Sequence, residues 1–244
     1  MMLILNNYEN KKQVGMTYTI QISADAEWQA VKSLFKMEEL KNTPFGEAFC
    51  YKKNNINLWF FHGGTTKTRA AASCQYAIDT WKPDRHFLLG TAGGVDKNIK
   101  VNDIVIAEKT AQYDHIYRMG EPCEFISRDT IVDIDNSWID ISKLPGSVCL
   151  GFIATADQDV DHHIRQKLMR ENVTAADWES GAVAMICLAN NTPCTIIRGI
   201  SDIPEDNADF QDDIQGKEYL KNTPKVMVKI IRKVLLEIIN FNLI

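Results

Sequence analysis

The chain has 244 residues, 45% apolar and 24% charged, close to the average for a soluble globular protein, with nothing that suggests disorder. A formal net charge of −5 argues against a nucleic-acid or anionic-membrane partner, both of which are met by clustered Lys and Arg, and favours a small-molecule substrate. Met1 to Leu5 is too short for the apolar part of a signal peptide and no run of about 18 apolar residues could span a bilayer, so the expected location is the cytoplasm.

Residues 1–15, with the polar stretch Asn6 to Gln13, read as a loose extension ahead of a single α/β domain over residues 16–244. Thr17 to Ser23 alternates as a strand does and runs into Ala24-Asp25-Ala26-Glu27, after which Val31, Leu34 and Phe35 recur at helical spacing. Ala48 to Lys52 and Ile56 to His62 flank the polar turn Lys53-Asn54-Asn55, which predicts a hairpin. Thr65 or Thr66 caps a helix through Trp81, ended by Lys82 before Pro83. Next come a strand at His86 to Leu89, a turn at Gly90 to Gly94, and strands at Asp103 to Ala107, Ser147 to Ala154 and Thr195 to Ile200, with helical patterns between. Lys225 to Phe241 sets Met227, Ile230, Ile231, Val234 and Ile238 on one side, as an amphipathic helix does. Strands alternating with helices predict a three-layer αβα domain around a twisted, largely parallel sheet. The six cysteines, Cys50, Cys74, Cys123, Cys149, Cys187 and Cys194, form no CxxC pair and no zinc-type spacing with histidine, and read as reduced core residues.

Ligands of open parallel sheets bind beyond the carboxyl ends of the strands, which singles out Ser23 to Glu27, Gly90 to Gly94, Asp177 to Glu179 and Ser201-Asp202. Three of the four contain carboxylates. Each has a plainer explanation as well: Asp202 could cap the turn after its strand, while Glu179 and Glu27 could complement a helix dipole. The Gly90 to Gly94 segment fits either a close backbone approach to a sugar or phosphate or a tight βα turn, and it has neither dinucleotide nor triphosphate fingerprint.

Thr91-Ala92-Gly93-Gly94 followed by Lys100-Val101-Asn102-Asp103-Ile104-Val105 resembles the (S/T)AGG…KVGDIV signature of methylthioadenosine/S-adenosylhomocysteine nucleosidases, within the purine and uridine phosphorylase superfamily. Asp177-Trp178-Glu179-Ser180-Gly181-Ala182 is similar to that family's acidic-Met-Glu-small segment, and Ile197-Arg198-Gly199-Ile200-Ser201-Asp202 to its VRAISD segment. Ser23 to Glu27 falls at its A-M-x-x-E element, and the four motifs keep their order over about residues 17–240. The resemblance implies a nucleoside phosphorylase-like fold with a central mixed sheet, and a purine nucleosidase that cleaves an N-ribosidic bond without metal or cofactor. It implies Asp202 as the acid that protonates N7 of the base, Glu27 as the residue that orients or activates water, and Glu179 as the ligand of the ribose 2′- and 3′-hydroxyls. Thr91, Ala92, Gly93, Asp159, Val160, Trp178 and Ser201 would line the site. It further implies a homodimer and a loop over residues 204–215 that partly closes the site.

Phosphorylases of the superfamily carry an arginine shortly before the Gly-(Ser/Thr) turn, where this chain reads Phe87-Leu88-Leu89, so water is the expected nucleophile. A phosphate-dependent phosphorylase and a non-catalytic nucleoside-binding protein are the alternatives. Three positions depart from the family pattern: Asp159 stands where an aromatic residue stacks on the base, Trp178 where methionine is usual, and Thr66 where glycine is expected. Purine nucleosidase is therefore a firmer expectation than any named substrate.

Overall fold

The computed structural model describes residues 15–35, 39–116, 125–204 and 214–240. Residues 1–14 of the N-terminal extension expected over 1–15, Cys123 and most of the loop expected over 204–215 lie outside the described residues.

β1 (Met16–Ile22) runs into α1 (Asp25–Leu34), as the change of periodicity predicts. A two-residue strand β2 (Lys41–Asn42) precedes the hairpin of β3 (Glu47–Lys53) and β4 (Ile56–His62). Asn54 and Asn55 close that hairpin at φ 48° and 64°, the left-handed pair that asparagine tolerates and a tight hairpin turn needs. α2 (Lys67–Trp81) ends at Lys82, at φ 46°, just before Pro83. β5 (Arg85–Gly94), β6 (Ile104–Gln112), β7 (Val132–Asp133) and β8 (Val148–Thr155) follow. Then come α3 (His162–Arg170), β9 (Ala175–Asp177), α4 (Ser180–Ala189) and β10 (Cys194–Asp202). The last helix, α5 (Ile214–Lys229), passes through a π-helical stretch, Ile230–Leu235, into a final turn, α6 (Leu236–Ile238). It begins well before the expected Lys225, because the helix carries Pro224 in its interior instead of starting after it.

The strands form one mixed sheet in the order β10-β6-β8-β9-β5-β1-β4-β3-β2, with β7 beside β6 and a further pairing of β10 with β5. β1 lies parallel to β4 and β5, and β5 parallel to β10. The antiparallel pairs β10–β6 and β5–β9 bend the other half of the sheet back on itself. As a result β5, β10, β6, β8 and β9 close a ring of strands. The core divides accordingly: α1 and the C-terminal helix cover one face through Trp28, Val31, Met227, Ile230 and Val234, while α2 and α4 cover the other through Cys74, Ile78, Val183 and Cys187.

The segment Gly90 to Gly94, expected as a turn, is instead the end of β5. Gly90 pairs with Arg198 and Gly93 with Asp202 on one side, and Gly93 pairs with Ala176 on the other. Partners distant in sequence keep the chain extended where its local composition reads as a turn.

Candidate active site

Glu27 sits in the first turn of α1 but does not face water: it is 2% exposed. Its Oε1 accepts from the amide of Thr91 at 2.6 Å and from the Thr91 hydroxyl at 2.7 Å, and its Oε2 accepts from the amide of Ala24 at 3.1 Å. A dipole complement would need none of the bonds to Thr91, so this carboxylate is built into the junction of β1, α1 and β5.

Beside it lies Arg198, fully buried in the middle of β10. A guanidinium keeps its proton in a protein and has to be paired when buried. Its Nε lies 2.6 Å from Asp177 Oδ2 and its Nη2 3.1 Å from Glu179 Oε2, while Nε also meets Ser180 Oγ at 3.1 Å. Asp177 in turn accepts from Thr155 Oγ1 at 2.6 Å and from the Ser180 hydroxyl. Nη1 is left over, for it finds no hydrogen-bond partner among the described residues. It points at Gly90, where a Cβ would stand 2.1 Å from Nη1 and 2.9 Å from Glu27 Oε1. Only a glycine lets the guanidinium and the carboxylate meet across β5. The motif that carries Arg198 implies no role for it. The signal was present in the sequence, as a lone cation inside an otherwise apolar strand.

Glu179 occupies the N-cap position of α4 and is 6% exposed, and its Oε1 accepts from the amide of Thr66 at 3.2 Å. Burial pushes its carboxyl up to about 8 against the pull of Arg198; the charges of Asp177 and Glu27 add to the rise and the Thr66 amide opposes it. Asp202, the last residue of β10, is 8% exposed, and its Oδ1 accepts from Ser201 Oγ at 2.5 Å. Its Oδ2 lies 3.5 Å from where a Cβ on Gly93 would be. From α5, Asn222 Nδ2 donates to the Ser201 carbonyl at 2.7 Å and fixes this strand end.

Bonds and register thus gather Glu27, Thr91, Ala92, Gly93, Glu179, Ser201 and Asp202, with Arg198, Asp177 and the Thr66 amide added to the expected set. Trp178 is partly exposed between Asp177 and Glu179. Asp159 is exposed and Val160 buried on the connection from β8 to α3, which meets the start of α2 where Lys67 N donates to Asp157 Oδ1 at 2.8 Å. Among the described residues, Cys74, His86 and Cys187 bring possible metal-ligand atoms within 4.8 Å of one another. Both ring nitrogens of His86 are already bonded, to Thr19 Oγ1 at 2.8 Å and Gln21 Oε1 at 3.1 Å, so the trio packs as core.

The chain belongs to the phosphorylase superfamily, whose family model matches residues 22–240. Within that class, proteins similar to it include nucleosidases. It is 27% identical over 214 residues to the aminodeoxyfutalosine nucleosidase of Campylobacter jejuni, covering 84% of this chain and 90% of the relative. It is 31% identical over 182 residues to the 5′-methylthioadenosine/S-adenosylhomocysteine nucleosidase of Haemophilus influenzae, covering 69% and 76%. The fold matches a crystal structure of the Helicobacter pylori 5′-methylthioadenosine/S-adenosylhomocysteine nucleosidase at a TM-score of 0.76 and 17% identity, over 93% of this chain and 99% of that one.

Proposed function

We propose that the protein is a purine nucleosidase that hydrolyses the N-ribosidic bond of 5′-methylthioadenosine, S-adenosylhomocysteine or a related purine nucleoside and releases the free base. The observation that carries this reading is the meeting of Glu27 with the unpartnered Nη1 of Arg198 across Gly90. A water between them has an acceptor for its proton in Glu27 and a donor for its lone pair in Nη1, which is how an attacking water is held and activated. Glu179 then binds the ribose hydroxyls, and Asp202 gives its proton to N7 so that the base leaves neutral. Bond breaking puts positive charge on the sugar, which the surrounding carboxylates favour electrostatically.

Charge also favours water over phosphate. The only buried guanidinium among these residues is already engaged by Asp177 and Glu179, and an oxyanion brought beside it would face Glu27 as well. We assign the chain to the cytoplasm, in keeping with the lack of any described helix long and apolar enough to cross a membrane. A homodimer is supported by the exposed apolar residues Met185 and Leu188 on α4, at 37% and 63% exposure. Light scattering on the purified protein reads that state.

The deciding experiment is incubation with a panel of purine nucleosides, with and without phosphate, followed by chromatography of the released base. Base release unaffected by phosphate is expected, and it is abolished in a folded Asp202→Asn variant. Strict dependence on phosphate would make the protein a phosphorylase. Tight nucleoside binding without turnover would make it a binding protein.

A further inference from the structure

The turn ahead of α2 places two successive amides on carboxylates from other parts of the chain: Thr66 N on Glu179 Oε1 at 3.2 Å and Lys67 N on Asp157 Oδ1 at 2.8 Å. Thr66 does so at φ 77° and ψ 156°, a region essentially reserved for glycine, and with a β-branched side chain. Its side chain makes no capping bond among the described residues that would hold the turn there. Something beyond the turn has to oppose its relaxation, and the neighbouring side chains supply it. Lys67 Nζ donates to Asp114 Oδ1 at 2.5 Å, and Asp114 Oδ2 accepts from the amide of Asp157 at 3.0 Å. With the Lys67 amide on Asp157, the three residues close a ring that ties the start of α2 to the connections after β6 and β8. The two charged side chains are only 20% and 24% exposed, so this pair is partly shielded from the solvent screening that weakens surface ion pairs.

We propose that the Lys67–Asp114–Asp157 ring is a positioning device for the ribose-binding carboxylate: it holds the Thr66 turn in its strained form and so keeps the Thr66 amide on Glu179. This rests on the reading of Glu179 given above. The amide favours the ionised carboxyl, the form able to accept from two hydroxyls, and so works against the effect of burial. Without the ring the turn relaxes, the amide leaves, and Glu179 holds its proton to higher pH.

The test measures base release across pH for Lys67→Met, the charge-preserving Lys67→Arg and the isosteric Asp114→Asn. Each is made with Thr66 and with Thr66→Gly, and thermal unfolding is followed in parallel. With Thr66 present, Lys67→Met and Asp114→Asn should lower kcat/KM about tenfold to a hundredfold, the size of one hydrogen bond to a charged group. The loss falls mainly on KM, the pH profile moves upward, and Lys67→Arg retains most of the activity. With glycine at position 66 the turn needs no holding and the same substitutions cost much less. Equal losses in both backgrounds, an unmoved pH profile, or no loss would overturn the proposal. If the wild-type protein releases base from no nucleoside, the reading of the site fails, and the ring is judged by unfolding alone. A ring that holds strain makes Thr66→Gly strongly stabilising while the ring is intact and less so once it is broken. Equal stabilisation in both cases rejects it.

Discussion

Burial pushes the Glu179 carboxyl up to about 8, and two measurable consequences follow. In the free protein it therefore holds its proton to higher pH than an ordinary carboxyl does. Ribose hydroxyls that donate to it favour the anion, so nucleoside binding expels a proton. Calorimetry in buffers of different ionisation enthalpy should show a binding enthalpy that follows the buffer; an enthalpy independent of the buffer would count against Glu179 as the ribose ligand. The second consequence is for stability. Between the ordinary carboxyl value of 4.5 and about 8 the folded protein keeps a proton that the unfolded chain has lost. The contribution of this group is therefore full below the lower value and is lost as pH rises through the upper one. Glu179→Gln should flatten the fall in melting temperature across that window, and parallel curves for the two proteins would show that another group titrates. Arg198 makes the complementary case. Arg198→Met leaves Asp177 and Glu179 buried without their cation, which should cost about 3–5 kcal/mol in denaturant unfolding. These residues were unevenly legible in the sequence. The three carboxylates stood at strand and helix ends where chemistry is expected, whereas the worth of Arg198 depends on contacts with Asp177 and Glu179, some twenty residues away, and with Gly90, more than a hundred away, which no local pattern displays.

The apolar strands and the hairpin turn were legible in local pattern, whereas the end of β5 and the start of α5 were not. The Asn54-Asn55 turn needs only two residues that accept positive φ, and it forms where it was expected. Thr65 or Thr66 was expected to cap α2, and Thr66 stands at the N-cap, but through a strained backbone and without a side-chain bond. Gly90 to Gly94 reads locally as a turn and is strand, because β9 and β10 pair with it from both sides. The C-terminal helix crosses β10 at Gly199 so closely that a Cβ there would lie 2.1 Å from Val226 Cγ1 and 3.2 Å from Ile230 Cδ1. Gly199→Ala must push α5 off the sheet, and the loosened α5 carries Asn222, which holds the strand end bearing Asp202. Overpacking of this kind costs about 1–3 kcal/mol. Reduced thermal stability together with a fall in kcat is expected, and stability lost with kcat intact would show that the strand end does not depend on the helix.

At the scale of the whole molecule, the class of the fold was legible and its closure was not. Alternating strands and helices announced a layered α/β domain, but the ring through β6, β8 and β9 is closed by two long-range antiparallel pairings, one of them through a strand of only three residues. The site inherits a property from this closure: its parts come from residues 27 to 202 and meet only when the ring is shut. The closed half of the sheet leaves the free edge at the other end, on β2 and on the part of β3 beyond the Glu47 and Ala48 that β2 covers. Beyond the short β7, the path ends at β2, whose Lys41 and Asn42 are both exposed. An outermost strand this brief and this polar offers a poor template for cross-β growth, and lysine there is a recognised guard against it. Replacing both residues with valine should leave the native fold in place while making concentrated solutions seed thioflavin-positive fibrils. Equal lag times for the two proteins would show that the guard lies elsewhere.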